Sequence, residues 1–223
     1  MTWTAEAVAK TIDHSLLRPE ATIADLEAGA EIALRYGVAS LCAKSCDVTV
    51  ARALLAGSGV RTSCVIGFPH GGQSTAAKVA EALQAVADGA VELDMVVNVG
   101  WLRSGLVEAF RVDIASVVRA TTGGAAVKTI LEVAYLTTDE KVLACRIAEE
   151  AGAAFVKTST GFGPSGATIA DVRLLRSAVG PAMLVKASGG IRSAIDVVGL
   201  LDAGAARIGT SSTETILAEL SNG

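Results

Sequence analysis

Thr137-Thr138-Asp139-Glu140-Lys141-Val142-Leu143-Ala144-Cys145-Arg146-Ile147-Ala148-Glu149-Glu150-Ala151-Gly152-Ala153-Ala154-Phe155-Val156-Lys157 holds one complete structural unit. Hydroxyls and carboxylates at 137–140 can accept from the free amides of a helix start, which places a helix over 138–151. Gly152 suits the left-handed turn that ends a helix. A short apolar run, Ala154–Lys157, then reads as a strand, and it stops on a charge.

The same cadence extends in both directions. Strands are predicted at Thr11–Asp13, Val38–Cys42, Arg61–Gly67, Val91–Val97, Ala126–Val133, Ala154–Lys157, Met183–Ala187 and Arg207–Gly209. Helices are predicted near 22–36, 46–56, 74–88, 102–120, 138–151, 168–178, 193–202 and 212–220. Gly37, Gly57, Gly89, Gly152 and Gly204 each end a helical stretch. Ala-Asp-Gly-Ala, Glu-Ala-Gly-Ala and Asp-Ala-Gly-Ala mark the same turn at 87–90, 150–153 and 202–205. Eight strand–helix units in 223 residues predict one α/β domain over residues 1–223, a single (β/α)8 TIM barrel. An open doubly wound sheet is the runner-up, but it would favour G-x-G-x-x-G after the first strand, and none is there.

Composition narrows the function classes. The chain is 51% hydrophobic, which a disordered segment would not be. A net charge of −4 gives no attraction to nucleic acid or an anionic membrane, so the expected partner is a small molecule held by a local site. No apolar run reaches membrane-spanning length, and Met1-Thr2-Trp3-Thr4-Ala5-Glu6 has no basic start before an apolar core, so a cytoplasmic location is expected. Cys42, Cys46, Cys64 and Cys145 form no Cys-x-x-Cys, and His14 and His70 have no second ligand near them in sequence. Buried free thiols and no metal are therefore expected. His70 reads as a solvated or turn-stabilising side chain, and Cys42 as packing close to a pocket.

Strands buried on both faces should carry almost no charge. Asp94 lies in Val91-Glu92-Leu93-Asp94-Met95-Val96-Val97-Asn98, Lys128 and Glu132 on the fifth strand, Lys157 ends the sixth, and Lys186 sits near the end of the seventh. Carboxylate–lysine pairs could simply stabilise a barrel interior. Two lysines at the C-terminal ends of neighbouring strands have no such explanation. A second ammonium and partial desolvation lower a lysine pKa from its usual value near ~10.4. The free amine can then add to an aldehyde and become the iminium that draws off electrons in carbon–carbon cleavage. Lys157 is the candidate nucleophile, Lys186 the perturbing cation and Asp94 the proton carrier.

Small-residue turns follow the last three strands: Thr158-Ser159-Thr160-Gly161, Ser188-Gly189-Gly190 and Gly209-Thr210-Ser211-Ser212. Glycines let a backbone approach closely, and helix N-terminal amides with hydroxyls bind phosphate. Each turn alone is ordinary, but together, beside paired lysines, they point to a phosphorylated substrate.

These segments resemble those of the deoxyribose-phosphate aldolase family of class I, Schiff-base aldolases. The likeness runs through Ile12-Asp13-His14, Val65-Ile66-Gly67-Phe68-Pro69-His70-Gly71, Glu92–Asn98, Lys128-Thr129-Ile130-Leu131-Glu132, Phe155–Phe162, Val185–Arg192 and Arg207–Ser212, nearly the whole chain. The resemblance implies reversible cleavage of 2-deoxy-D-ribose 5-phosphate to acetaldehyde and D-glyceraldehyde 3-phosphate, with no metal or other cofactor. It implies a Schiff base on Lys157, pKa depression by Lys186 and proton relay through water by Asp94. Asp13 would support that relay or contact a substrate hydroxyl, Gly161, Gly189, Gly190, Gly209, Ser211 and Ser212 would form the substrate's phosphate cradle, and Ser188 would also bind substrate. Phe162 stands where some members have lysine, and Leu41-Cys42-Ala43-Lys44-Ser45-Cys46 lacks the proline usual after the second strand. Self-association as a homodimer or homotetramer is expected through outer helices. The rival readings are another phosphate-binding barrel lyase or isomerase using Lys and Asp as acid and base, and a catalytically silent phosphometabolite-binding barrel.

Overall fold

The computed structural model describes residues 3–222, so the reading of the chain start at Met1 and Thr2 lies outside it, as does Gly223. Eight parallel strands close into a barrel in sequence order. They are β1 (Ile12–Ser15), β2 (Ser40–Ala43), β3 (Arg61–Ile66), β4 (Glu92–Val96), β5 (Ala126–Ile130), β6 (Phe155–Lys157), β7 (Leu184–Ser188) and β8 (Arg207–Thr210). The helices are α1 (Ala5–Ala9), α2 (Ile23–Tyr36), α3 (Val48–Leu54), α4 (Thr75–Asp88), α5 (Val99–Arg103), α6 (Val107–Ala120), α7 (Thr138–Glu150), α8 (Ile169–Ala178), α9 (Ala194–Asp202) and α10 (Thr213–Ser221). None is long and apolar enough to cross a membrane among the described residues.

The caps form as the sequence dictates. Thr22 and Asp25 satisfy each other's amides at the start of α2, and Thr137 and Glu140 do the same for α7. Gly89 ends α4 at φ 108, and a side chain there would also collide with Arg52.

Three expectations change. The helix predicted at 102–120 is broken into α5 and α6, because Gly105 adopts φ 72 between them. The helix predicted at 46–56 begins as a 3-10 turn at Ser45–Asp47 before α3. The fifth strand stops at Ile130, since Glu132 turns into the left-handed region at φ 52 and Val133–Tyr135 forms a 3-10 turn. The short α1, capped by Thr4, precedes the first strand and was not foreseen.

Two faces of the sheet have different chemistry. Ladder register sets Asp94 beside Lys128, Lys157 beside Lys186, and Lys186 beside Arg207. Strand side chains alternate sides, so these residues share the inner face with Asp13 and Glu92. The opposite phase (Ile12, Leu41, Leu93, Met95, Val156, Val185 and Ile208) joins the apolar core beneath the helices. At the floor of the interior, Lys128 Nζ and Arg207 Cζ lie 5.9 and 5.5 Å from the ring centre of Phe155.

One charge pair is buried outside the barrel interior. Lys78 of α4 donates to Asp113 Oδ2 of α6 at 2.6 Å, and Thr75 Oγ1 donates to Oδ1 at 2.8 Å. Both charged residues are fully buried. Lys78→Met should strand the carboxylate and cost about 3 kcal/mol. A lower urea midpoint would record that loss, with most of it recovered in Lys78→Met combined with Asp113→Leu.

Candidate active site

β4, β5, β6 and β7 deliver Asp94, Lys128, Lys157 and Lys186 to one point inside the barrel, Lys157 from the end of its strand and the others from mid-strand. Asp94 Oδ1 accepts from Lys128 at 2.8 Å, and its Oδ2 accepts from both Lys157 and Lys186 at 2.7 Å. Lys186 also donates to Asp13 Oδ2 at 2.5 Å. Arg207 reaches Asp13 Oδ1 at 2.5 Å and Glu92 Oε2 at 3.2 Å, and Lys128 closes the ring to Glu92 at 2.7 Å. Arg61, half exposed at the start of β3, adds a further contact to Glu92.

Four buried cations (Lys128, Lys157, Lys186 and Arg207) therefore face three buried carboxylates (Asp13, Glu92 and Asp94). One proton is in excess for a low-dielectric interior. Lys157 is the group that gives it up most readily. Burial lowers its pKa, and Lys186 lowers it further against the pull of Asp94. Burial acts on Lys186 and Lys128 too, but the carboxylates around them outweigh it and raise both. Burial alone would raise the pKa of Asp94; the three lysines reverse that and hold it well below the usual carboxylate range. When Lys157 becomes a neutral amine, Asp94 keeps Lys128 on one oxygen and Lys186 on the other. The geometry can thus present a free amine beside a permanent ammonium.

Above this floor lies a cavity of about 690 Å³ at the C-terminal ends of the strands. Lys157 and Lys186 line it together with Gly161, Ser188, Gly189, Gly190, Gly209, Ser211 and Ser212. Asp13 and Asp94 do not; both are fully buried beneath the lysines, where Asp13 anchors Lys186 and Arg207. Cys42 is buried and also lines the cavity, with burial pushing its thiol pKa up. His70 lies outside this cavity, and His14 is buried against Thr213 at 2.8 Å with its pKa pushed down to about 4 by burial.

The three glycine loops are tied to one another. Ser188 Oγ donates to the Ser159 carbonyl at 2.5 Å, so this hydroxyl is committed to the loop rather than offered to a ligand. The Ala167 amide donates to the Gly189 carbonyl at 3.1 Å, and any side chain on Gly166 would collide with that carbonyl. Thr210 Oγ1 donates to the Ile191 carbonyl at 2.8 Å. Gly161, Gly189 and Gly190 all have φ between 75° and 91°, which brings bare backbone to the cavity wall. Ser212 precedes α10 without capping it, leaving its hydroxyl beside the free amides of that helix.

Four residues were missed in the sequence. Glu92 and Arg207 carried a readable signal: each stands two places before an inner-face position, at Asp94 and Gly209. Arg18 and Arg192 line the cavity mouth from loops, where no periodicity marks a side chain's direction. Neither is in an ion pair among the described residues, and they supply positive charge at a rim where Phe162 supplies none. No three His, Cys, Asp or Glu side chains are grouped to hold a metal among the described residues.

The chain belongs to the DeoC/LacD family of aldolases, whose profile matches residues 7–213. The deoxyribose-phosphate aldolase of Coprothermobacter proteolyticus is 51% identical over 95% of this chain and 96% of its own length. That of Methanocella arvoryzae is 52% identical over 92% of each. Among solved structures, the tetrameric deoxyribose phosphate aldolase of Aeropyrum pernix superposes with a TM-score of 0.91 at 36% identity, covering 98% of this chain and 92% of that one.

The lysine pair has a pH signature. Lys186→Leu removes a positive neighbour and leaves Asp94 Oδ2 to Lys157 alone. Both changes favour the ammonium, so the Lys157 pKa should rise and amine reactivity should move to alkaline pH. Rates of Lys157 trapping by aldehyde and borohydride across pH measure this, and an unchanged profile would deny Lys186 the role.

Proposed function

We propose that the protein is a deoxyribose-phosphate aldolase that cleaves 2-deoxy-D-ribose 5-phosphate reversibly to acetaldehyde and D-glyceraldehyde 3-phosphate. The observation that carries this reading is the Lys157–Lys186 pair, in register on adjacent strands and sharing Asp94 Oδ2, at the floor of a cavity walled by glycine and serine loops. Family membership and relatives of about half identity over nearly the full chain support the choice of sugar.

The chemistry follows from the charges. Neutral Lys157 Nζ adds to C1 of the open-chain aldehyde, and the carbinolamine loses water to give an iminium. The C3 hydroxyl loses its proton, the C2–C3 bond breaks, and its electron pair passes through C2 to the iminium nitrogen. Glyceraldehyde 3-phosphate departs and an enamine remains on Lys157. Protonation at C2 restores the iminium, and water releases acetaldehyde. Lys186 keeps the amine available, and Asp94 acts from beneath the cavity: it exchanges protons with the Lys157 and Lys186 amines it accepts from, and these pass them to water and the reacting oxygens. The nitrogen is the electron sink, so this reading has no metal or cofactor.

The phosphate sits against the amides of Gly161, Gly189 and Gly190 and the Ser211–Ser212 start of α10, with Arg18 and Arg192 at the rim. Gly209 makes room for its neighbours on β7, since a Cβ there would lie 2.9 Å from the side chain of Ser188 and 3.1 Å from Lys186 Cε. We place the protein in the cytoplasm as a homo-oligomer of dimer or tetramer type.

Acetaldehyde with borohydride should give a stable adduct on Lys157, lost in Lys157→Ala and retained in unaltered protein at no other lysine. Lys157→Ala should lower turnover by about 10⁴-fold or more. Cleavage of 2-deoxyribose 5-phosphate should exceed that of ribose 5-phosphate by about 100-fold. An adduct on Lys186 or Lys128 instead would refute the assignment.

A further inference from the structure

Glu132 lies outside the lysine cluster and has no cation within reach among the described residues. Its carboxylate is 4% exposed, and burying such a group without a counter-charge is costly. It is also the one non-glycine residue at positive φ among the described residues, a strained backbone that persists only where the surroundings fix it. Two unfavourable features at one residue call for a compensating role.

All the partners of its carboxylate come from the loop after Lys157. Glu132 Oε2 accepts the Thr160 amide at 3.2 Å and the Thr160 hydroxyl as well. The Thr160 oxygen in turn accepts the Phe162 amide at 3.0 Å. Backbone bonds flank this contact, from Leu131 N to the Lys157 carbonyl at 2.9 Å and from Val133 N to the Thr158 carbonyl at 3.0 Å. A Cβ on Gly163 would lie 3.0 Å from Glu132 Cδ, so the loop's far end packs directly on the carboxylate. Thr160 and Phe162 line the substrate cavity, whereas Glu132 lines only a second cavity of about 110 Å³ behind them. The Phe162 ring is braced there by Phe68, edge to face at 5.3 Å. Glu132 Oε1, buried with no partner, completes the picture of a group aimed at the loop from behind.

We propose that Glu132 is a positioning residue that fixes loop 158–163 over the cavity and thereby sets affinity for the phosphate end of the substrate. The proposal rests on the aldolase reading above. It assigns the left-handed turn that ends β5 a purpose: only that turn carries the carboxylate out of the strand line and under Thr160. Lys157 itself is held by the β6 ladder and by Asp94, so the loop can lose its order without displacing the amine.

The test compares 2-deoxyribose 5-phosphate, unphosphorylated 2-deoxyribose and acetaldehyde trapping in Glu132→Ala, Glu132→Gln and Thr160→Val. Glu132→Ala should raise KM for the phosphorylated sugar by about 10- to 100-fold, the range seen when a supporting partner of a binding group is lost. Its turnover of 2-deoxyribose and its trapping on Lys157 should change by less than about threefold, because neither involves phosphate. Glu132→Gln keeps an acceptor for Thr160 and should restore most of the affinity; Thr160→Val should raise the same KM by a smaller factor. An unchanged KM in Glu132→Ala, or an equal loss for both sugars, would overturn the proposal. If Glu132→Ala does not fold by circular dichroism, Thr160→Val decides, and an unchanged KM there is equally fatal. Failure of the unaltered protein to trap acetaldehyde on Lys157 would instead overturn the aldolase reading itself.

Discussion

Asp94 has two carboxylate oxygens and three lysine ammoniums within 2.8 Å of them, and the interior of this barrel is organised by that imbalance. An isolated carboxylate in this position would cost several kcal/mol, as would any of the lysines. Together they tie β4, β5, β6 and β7 to one another through a single carboxylate, although Lys157 stands two residues further along the ladder than Lys128. Because Lys128 and Lys186 suffice to hold Asp94, the third lysine is surplus to the structure. A surplus charge is the one that can be spent on chemistry, and the electrostatics that stabilise the scaffold also single out Lys157, the group proposed to react.

The wall of the site is built on a different principle. The loops after β6, β7 and β8 contribute backbone and short hydroxyl side chains, tied to one another through Ser188, Thr210 and the Ala167 amide. Backbone amides cannot titrate and have little freedom once so tied. On the proposed reading they suit the phosphate of the substrate, which keeps its charge, whereas the lysine floor would change protonation state during each turnover.

The sequence made the barrel and the lysine pair legible because both are periodic. Lys157 closes one apolar strand and Lys186 interrupts the next, and that placement survives an error of one or two residues at a boundary. Pairing partners were less legible. Glu132 looked like a strand carboxylate available to a lysine, yet one left-handed residue took it out of the ladder and into the next loop. Family resemblance gives Asp13 either support of the proton relay or contact with a substrate hydroxyl; the structure buries it under Lys186 and off the cavity wall, a position that suits the first and not the second. Arg18 and Arg192 were invisible for a plainer reason: loop side chains have no period from which a direction can be read.

The division between the two faces of the strands has a bearing on how such a protein can change over generations. The apolar outer phase, from Ile12 through Leu93 to Ile208, carries the attachment of the helices, while the inner phase carries the charges. Neighbouring residues on one strand thus answer to separate selective demands. Volume-conserving exchanges beneath the helices can accumulate without disturbing the acid–base chemistry. New reactivity can be tried inside without re-solving the problem of folding, so long as each inner charge still meets an opposite one.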